Sequence, residues 1–370
     1  MALGVLNWMS KRRPPPLPVE SLTTPDLQAM TRMSNELRQA GEICLPSLFW
    51  DWLNDKNVKQ LQVHGLEHFK RTVNQNYSNF VVSGFDDNQY QNVLRYWIEH
   101  PSSTPLSTEI HGSQFLQGFF EKNPLSEDSY RNLYRFFVGL LWHYVSQHDE
   151  AGLTTRLSEP TVGDPIRVTL GGRLISQDLA NSIHECNTLH AALRPSSSDA
   201  RLKVGELGAG YGRLADVWLS SQHCQYMIFD VPPALYLSQW YLQRRYPQKR
   251  AFTFRSFRDF SEVRDELAEA DVAFFTANQL TLFPDGYFDG FQSISCLHEM
   301  RLEQIRFYID QITRHTRRAV YFKNWAKWHN TLDDLQPGRE LYVLSAPWET
   351  VLDRLHPVQD KFCEQLFVRA

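Results

Sequence analysis

The 370-residue chain has no surplus of positive charge, no paired cysteines and no long apolar run, and each lack removes a class of function. With 38 Lys and Arg against 42 Asp and Glu, a formal charge of −4, it has no basic excess with which to bind nucleic acid generally. No apolar stretch reaches the roughly 18–20 residues that cross a bilayer, so stable membrane insertion is not expected. The five cysteines (Cys44, Cys186, Cys224, Cys296, Cys363) are odd in number and scattered, and none forms a C-x-x-C pair. Neither a disulfide framework nor a structural zinc site follows, and a reducing cytoplasm is the expected compartment. In "MALGVLNWMSKRRPPPLP" the basic cluster comes after a short apolar stretch, the reverse of a secretion signal. It reads as a frayed arm and polyproline-type linker over residues 1–23.

Two halves follow. Residues 24–158 are helical in pattern and rich in aromatics, with "SEDSYRNLYRFFVGLLWHYVSQ" predicting a helix to Gln147 behind a Ser126 cap. Turn signals such as "EHPSSTP" separate the helices, no chemistry is evident, and the expected duty is to cover the second half. Residues 159–370 open on an irregular connector and a helix over 176–193. Strands "KVGEL", "YMIFD", "VAFFT", "FDGFQSIS" and "RAVYFK" then alternate with helices beginning at Leu214, Pro233 and Leu302. Leu302, Ile305, Ile309 and Ile312 share one helix face. This alternation predicts an α/β fold, a parallel sheet with helices on both faces, preceded by a helical domain. "AFTFRSF" (251–257) is a surplus strand without a place. "ELYVLSAPW" and "KFCEQLFVR" predict an antiparallel edge pair.

The densest signal is "KVGELGAGYGRLADVW", with Gly208, Gly210 and Gly212 where the first strand turns into its helix. Ligands of open parallel sheets bind beyond the carboxyl ends of the strands, and a missing Cβ lets backbone approach them. The run is G-x-G-x-G, with Arg213 where a dinucleotide fingerprint needs its third glycine, and no G-K-[ST] is present. Glu206 would repel a pyrophosphate but suits a ligand carrying an amino group and a sulfonium, such as S-adenosylmethionine. Asp230, ending the second strand, can accept hydrogen bonds from both ribose hydroxyls. A plain tight turn in a nucleotide-free domain is the alternative. Asn278 and Gln279 stand where an amide can meet the adenine edge, or are ordinary loop residues; Asp289 opens the fourth strand as a structural residue.

The fourth strand runs into Ser295, Cys296, Leu297, His298, Glu299 and Met300, beneath the expected position of the reactive methyl. An alcohol acceptor needs a base of near-neutral pKa, for which His298 is placed, unless it only walls the pocket. Glu299 can orient it, bind a substrate hydroxyl or cap the next helix. No third ligand at convincing spacing makes this pair a metal site. Lys323, Asn324 and Trp325 end the fifth strand on the same rim, where an aromatic face can stack on a sugar; Trp328 reads as core.

Together "VGELGAGYGRLA", "FDVPPALYLSQWYL", "SISCLHEM" and "YFKNWAKW" resemble the bacterial sugar O-methyltransferases, a branch of the class I S-adenosylmethionine-dependent methyltransferases. The resemblance extends through "GLEHFKRTVNQNYSNF", "VGDPIRVTLGGRLISQDLANS" and "HPVQDKFCEQLF". It implies a Rossmann-like fold and cofactor contacts at Glu206, Gly208, Ala209, Gly210 and Asp230, with Tyr211 and Gly212 in the same turn. It also implies a pocket near Ser295, His298 and Glu299. In that family an amide commonly stands where this chain has His298, which moves weight to Glu299. The segment "GGRLISQDLANSIHE" is placed over the cofactor, with Arg173, Gln177 and Asn181 as pocket candidates. The expectation is O-methylation of a sugar hydroxyl on a small-molecule acceptor, with a homodimer left open. An aromatic or polyketide acceptor and a non-catalytic module of the same fold are the alternatives.

Overall fold

The computed structural model describes residues 22–72, 87–100, 108–111, 127–165, 167–193, 201–327 and 329–370. Most of the 1–23 arm, the Ser126 cap, Trp328 and much of the stretches at 65–80 and 99–105 lie outside them. Among the described residues no helix is long and apolar enough to cross a membrane.

The amino-terminal half is built on α1 (Thr24–Gln39), α2 (Leu48–His64), α3 (Asn88–Glu99) and α4 (Glu127–Gln147). Thr23 starts α1 with a capping box, its amide donating to Asp26 Oδ2 at 2.7 Å. Ser47 caps α2. A strand, β1 (Thr108–His111), pairs antiparallel with β2 (Arg167–Leu170), which pairs with β3 (Arg173–Ile175). Ser176 then caps α5 (Gln177–Ala192), its hydroxyl accepting from the amide of Leu179 at 2.9 Å.

The main sheet has eight strands. They are β4 (Leu202–Leu207), β5 (Cys224–Asp230), β6 (Ala251–Phe252), β7 (Val272–Thr276), β8 (Phe288–Ile294), β9 (Thr316–Trp325), β10 (Trp348–Leu355) and β11 (Phe362–Arg369). Their order is β10-β11-β9-β8-β4-β5-β7-β6; β11 runs antiparallel to both neighbours and the other pairings are parallel. Crossovers include α6 (Arg213–Ser221), α7 (Ala234–Arg245) and α8 (Leu302–His315). This is a Rossmann-like arrangement, a largely parallel sheet with helices between its strands. The chain leaves β4 toward β5 on one side and returns beside it as β8 on the other, so a crevice opens at the carboxyl ends of those strands.

Burial on both faces explains why the central strands read as unbroken apolar runs. Tyr226, Ile228 and Phe274 face a core shared with α4, α5 and α6, while Met227, Phe229 and Phe275 face a phenylalanine-rich core closed by α8. Asp289 is structural, its Oδ2 accepting from Lys203 N at 2.9 Å and its Oδ1 from Arg317.

Two strand expectations change. Of 251–257 only Ala251 and Phe252 form a strand, because side chains hold the following backbone: Phe254 N donates to Gln239 Oε1 and Arg255 O accepts from Gln279 Nε2. "ELYVLSAPW" is not a strand either. Arg339–Tyr342 is a short 3-10 turn, and β10 begins only at Trp348. The antiparallel pairing of the last two strands stands, with β10 the exposed, charged edge.

Candidate active site

A cavity of about 530 Å³ opens at the crevice. Glu206, Gly208, Ala209, Gly210 and Asp230 line one end; Ser295, His298, Glu299 and Trp325 line the other, with Phe49, Trp50 and Leu53 of α2 facing them.

Glu206, 2% exposed, ends β4 and accepts a hydrogen bond from the Tyr226 hydroxyl at 2.7 Å, and Gln292 Nε2 donates to that hydroxyl in turn. Burial pushes its carboxyl up to about 8, against the pull of Tyr226 and Arg213. Asp230, 7% exposed, receives the amides of Gly210 (2.9 Å) and Val231 (2.7 Å), and burial pushes it up to about 7. Both acids are thus held by neutral donors in a place that disfavours their charge. The nearby guanidinium of Arg213 is bonded to Glu185 at 2.6 Å and to Ser182. Such a pair fits a cationic ligand that keeps both groups ionised.

The glycine turn owes its missing side chains to the protein itself. Gly208 has φ +79°, and a Cβ there would collide with Cys296. Gly212, φ +88°, has Leu242 and Ser238 where its Cβ would lie, and it does not line the cavity. Tyr211 points away too, its buried hydroxyl donating to Asp178 Oδ2 at 2.8 Å.

At the end of β8, Ser295 adopts φ +54°, a left-handed conformation unusual for serine, and its amide bonds Lys323 O at 2.7 Å. This turn brings His298 and Glu299 back over the cavity. Asn324 Oδ1 fixes the loop by accepting from the amides of Cys296 (3.2 Å) and Leu297 (3.1 Å), with His298 Nδ1 at 3.3 Å. Asn324 therefore supports the site from behind rather than lining it. His298, 1% exposed, is held near 3 by burial and is neutral; its Nε2 lies 3.7 Å from Glu299 Oε1. Glu299 retains 16% side-chain exposure, receives a hydrogen bond from Trp50, and is pushed by burial up to about 8.

Other expected site residues lie elsewhere. Lys323 is fully buried and paired with Glu185 at 3.0 Å; neighbouring strand residues face opposite ways, so Lys323 and Asn324 cannot both serve the rim. Gln279 is spent on Thr276 N and Arg255 O, and Asn278 Nδ2 reaches Glu36 of α1 at 3.4 Å. Arg173 donates to Thr154 O at 2.7 Å, and neither it nor Gln177 nor Asn181 lines the cavity.

Among the described residues, His184, His356 and Glu364 bring three ligand-type atoms together. They do not suit an ion. His356 Nδ1 accepts from the amides of Val358 and Gln359, which leaves its proton on Nε2, so neither nitrogen is free to ligate. Glu364 is already taken by His184, Tyr321 and Arg354.

No protein-family model matches the chain, and no curated protein does. Solved structures with a similar fold exist at low identity. A Burkholderia thailandensis 1,6-didemethyltoxoflavin-N1-methyltransferase is 18% identical at TM-score 0.37, covering 52% of this chain and 79% of that one. A Synechocystis magnesium protoporphyrin IX methyltransferase is 12% identical at TM-score 0.31, covering 52% and 84%. The PH0226 protein of Pyrococcus horikoshii is 11% identical at TM-score 0.35, covering 50% and 90%. These likenesses carry no ligand or acceptor over to this chain.

Proposed function

We propose that this protein is an S-adenosylmethionine-dependent O-methyltransferase acting on a hydroxyl of a sugar or glycosylated small molecule, with Glu299 as the base. The observation that carries the reading is the meeting of Glu206, Asp230 and Glu299 in one cavity, the first two buried and the third nearly so, with no salt bridge from any of them to Lys or Arg among the described residues. Bound there, S-adenosylmethionine supplies an electrophilic methyl group on a positively charged sulfur. Glu206 suits its amino group and Asp230 its ribose hydroxyls, while Gly208, Ala209 and Gly210 offer backbone. As the acceptor oxygen forms its bond to the methyl carbon, the sulfur–methyl bond would break with its electron pair left on sulfur, giving S-adenosylhomocysteine, and the hydroxyl proton would pass to the Glu299 carboxylate. A carboxylate with a pKa near 8 is a far better acceptor than one near 4. His298, held near 3, is too weakly basic for that task and stands beside the Glu299 carboxyl, its Nε2 3.7 Å away.

Residues 24–158 supply the cover and 159–370 the methyltransferase unit. The five cysteines are free buried thiols, which suits the cytoplasm. A second acceptor class, an aromatic or polyketide metabolite, draws support from the apolar far wall of Phe49, Leu53, Met300 and Tyr308.

Calorimetric titration with S-adenosylmethionine is expected to show binding, weakened about a hundredfold in Glu206→Ala and Asp230→Ala, as loss of charge-assisted hydrogen bonds implies. Absence of binding to the wild type overturns the reading. With an acceptor in hand, Glu299→Gln should lower turnover by about 10²–10⁴-fold with cofactor affinity retained.

A further inference from the structure

Among the described residues, the amino-terminal half lines the cavity with Cys44, Leu45, Pro46 and residues of α2, and the start of α2 is pinned by the carboxyl-terminal half. Asp333 accepts two amides of the first turn of α2, Leu48 N on Oδ1 at 2.9 Å and Phe49 N on Oδ2 at 3.0 Å. This is a bidentate cap from a residue 285 positions away, added to the local cap by Ser47. Asn330 Nδ2 holds the same carboxylate at 2.8 Å, and Asn330 Oδ1 accepts the amides of Leu332 and Asp333, so the turn that carries Asp333 is itself fixed. Ser47 Oγ donates to the backbone oxygen of Glu299 at 2.8 Å. From α8, Gln304 Nε2 donates to Ile43 O and Leu45 O. All of these bonds converge on the segment that presents Trp50, which lines the cavity with Glu299 and whose side chain draws the Glu299 carboxyl toward its ionised form.

The apolar anchoring of this end of α2 is slight by comparison. Leu48 is 61% exposed and Trp52 55% exposed; Leu53 is buried, while Phe49 and Trp50 are half-buried against the cavity. Trp50 packs on the edge of the core, and the polar bonds fix the turn that presents it.

We propose that Asp333 is a positioning residue that acts through Trp50 on Glu299: it latches the first turn of α2 so that the indole N–H stays aimed at the carboxylate. The proposal rests on the methyltransferase reading only for what Glu299 does, and its test needs neither donor nor acceptor. The other groups that face Glu299 are His298 at 3.7 Å, and Asp230, Cys296 and Tyr342 through their charges; none of them belongs to α2. A hydrogen bond from Trp50 favours the ionised carboxyl, so its loss must raise proton affinity.

The experiment follows the protonated Glu299 carboxyl band by infrared difference spectroscopy across pH, in the whole protein, with Glu299→Gln assigning the band. Trp50→Phe keeps a ring and removes the N–H; the midpoint is expected to rise by about one pH unit, a tenfold change in proton affinity. Asp333→Ala should move it in the same direction, and the double variant no further than Trp50→Phe alone. Asp333→Asn retains an oxygen for one of the two amides and keeps the fold testable, with a smaller rise. An unchanged midpoint in Trp50→Phe, or in both Asp333 variants, with melting behaviour like the wild type, overturns the proposal. Failure of S-adenosylmethionine to bind would overturn the functional reading and leave this result standing.

Discussion

Buried carboxylates form two groups in this fold, and the two are treated in opposite ways. In the first, Glu185 lies between Arg213 (2.6 Å) and Lys323 (3.0 Å), Glu159 meets Lys70 at 2.6 Å, and Glu364 meets His184 and Arg354. Their cations hold Glu185 and Glu364 below the usual carboxylate range despite burial. In the cavity, Glu206, Asp230 and Glu299 have hydroxyl, amide and indole donors, and burial wins, lifting them to about 8, 7 and 8. The lesson is that a buried acid matched inside the protein holds the fold together, while one left unmatched is kept ready for a charge or proton from outside.

Breaking the matched side should have the largest effect. Glu185→Gln leaves Arg213 and Lys323 buried without their shared counter-charge, and a loss of about 3–5 kcal/mol is expected in urea unfolding. A loss under about 1 kcal/mol would show that these cations reach solvent and that the comparison is mistaken. The reverse applies to Glu206→Gln. The amide oxygen still accepts from Tyr226, and nothing buried loses a partner, so unfolding at neutral pH should be unchanged or more costly. Because the raised carboxyl keeps its proton in the folded state, the wild type should lose stability as pH climbs from about 4.5 toward 8, with a limiting slope of about 1.4 kcal/mol per pH unit per proton. The variant should lose less over that window. Equal slopes in the two proteins would mean that Glu206 is not the group that titrates.

The legibility of the sequence follows the same division. The alternation of strands and helices and the acids flanking the glycine turn are local signals, and they sufficed for the sheet, Glu206 and Asp230. The turn lines the cavity as the sequence suggested, but Gly208 also makes room for Cys296, a contact 88 positions distant that no local pattern encodes. Lys323 was given to the rim although strand alternation separates it from Asn324, a rule available from sequence alone. The wall from α2 was foreseen only as a cover by the aromatic-rich helical half, without named residues, because helical periodicity does not say which aromatics face a partner. Its signal is present in "SLFWDW": Phe49, Trp50 and Trp52 spread around a helix and cannot share one buried face, so at least one must serve something else. Ser295 and Asp333 act through a left-handed turn and a long-range cap, neither of which composition or periodicity announces.

The smallest expected effect, and the one that most sharpens the comparison, is the proton count of cofactor binding. In the free protein near pH 6.5, Glu206 and much of Asp230 carry protons, since their pKa values stand at about 8 and about 7. A cationic ligand favours the ionised forms, so binding should expel protons, and affinity should rise with pH by about 10²–10³-fold from 6 to 8 before levelling off. Calorimetry with S-adenosylhomocysteine, repeated in buffers of different ionisation enthalpy, reads that number directly. Release of about 1.4 protons near pH 7 is expected, falling to about half a proton, the share of Asp230 alone, in Glu206→Gln. Proton uptake, or release unaltered in the variant, would mean that the unmatched acids are not what the ligand meets. Glu185→Asp, which keeps a counter-charge for Arg213 and Lys323, should leave the proton count as it is, because the matched acids stay ionised whether or not the cavity is filled.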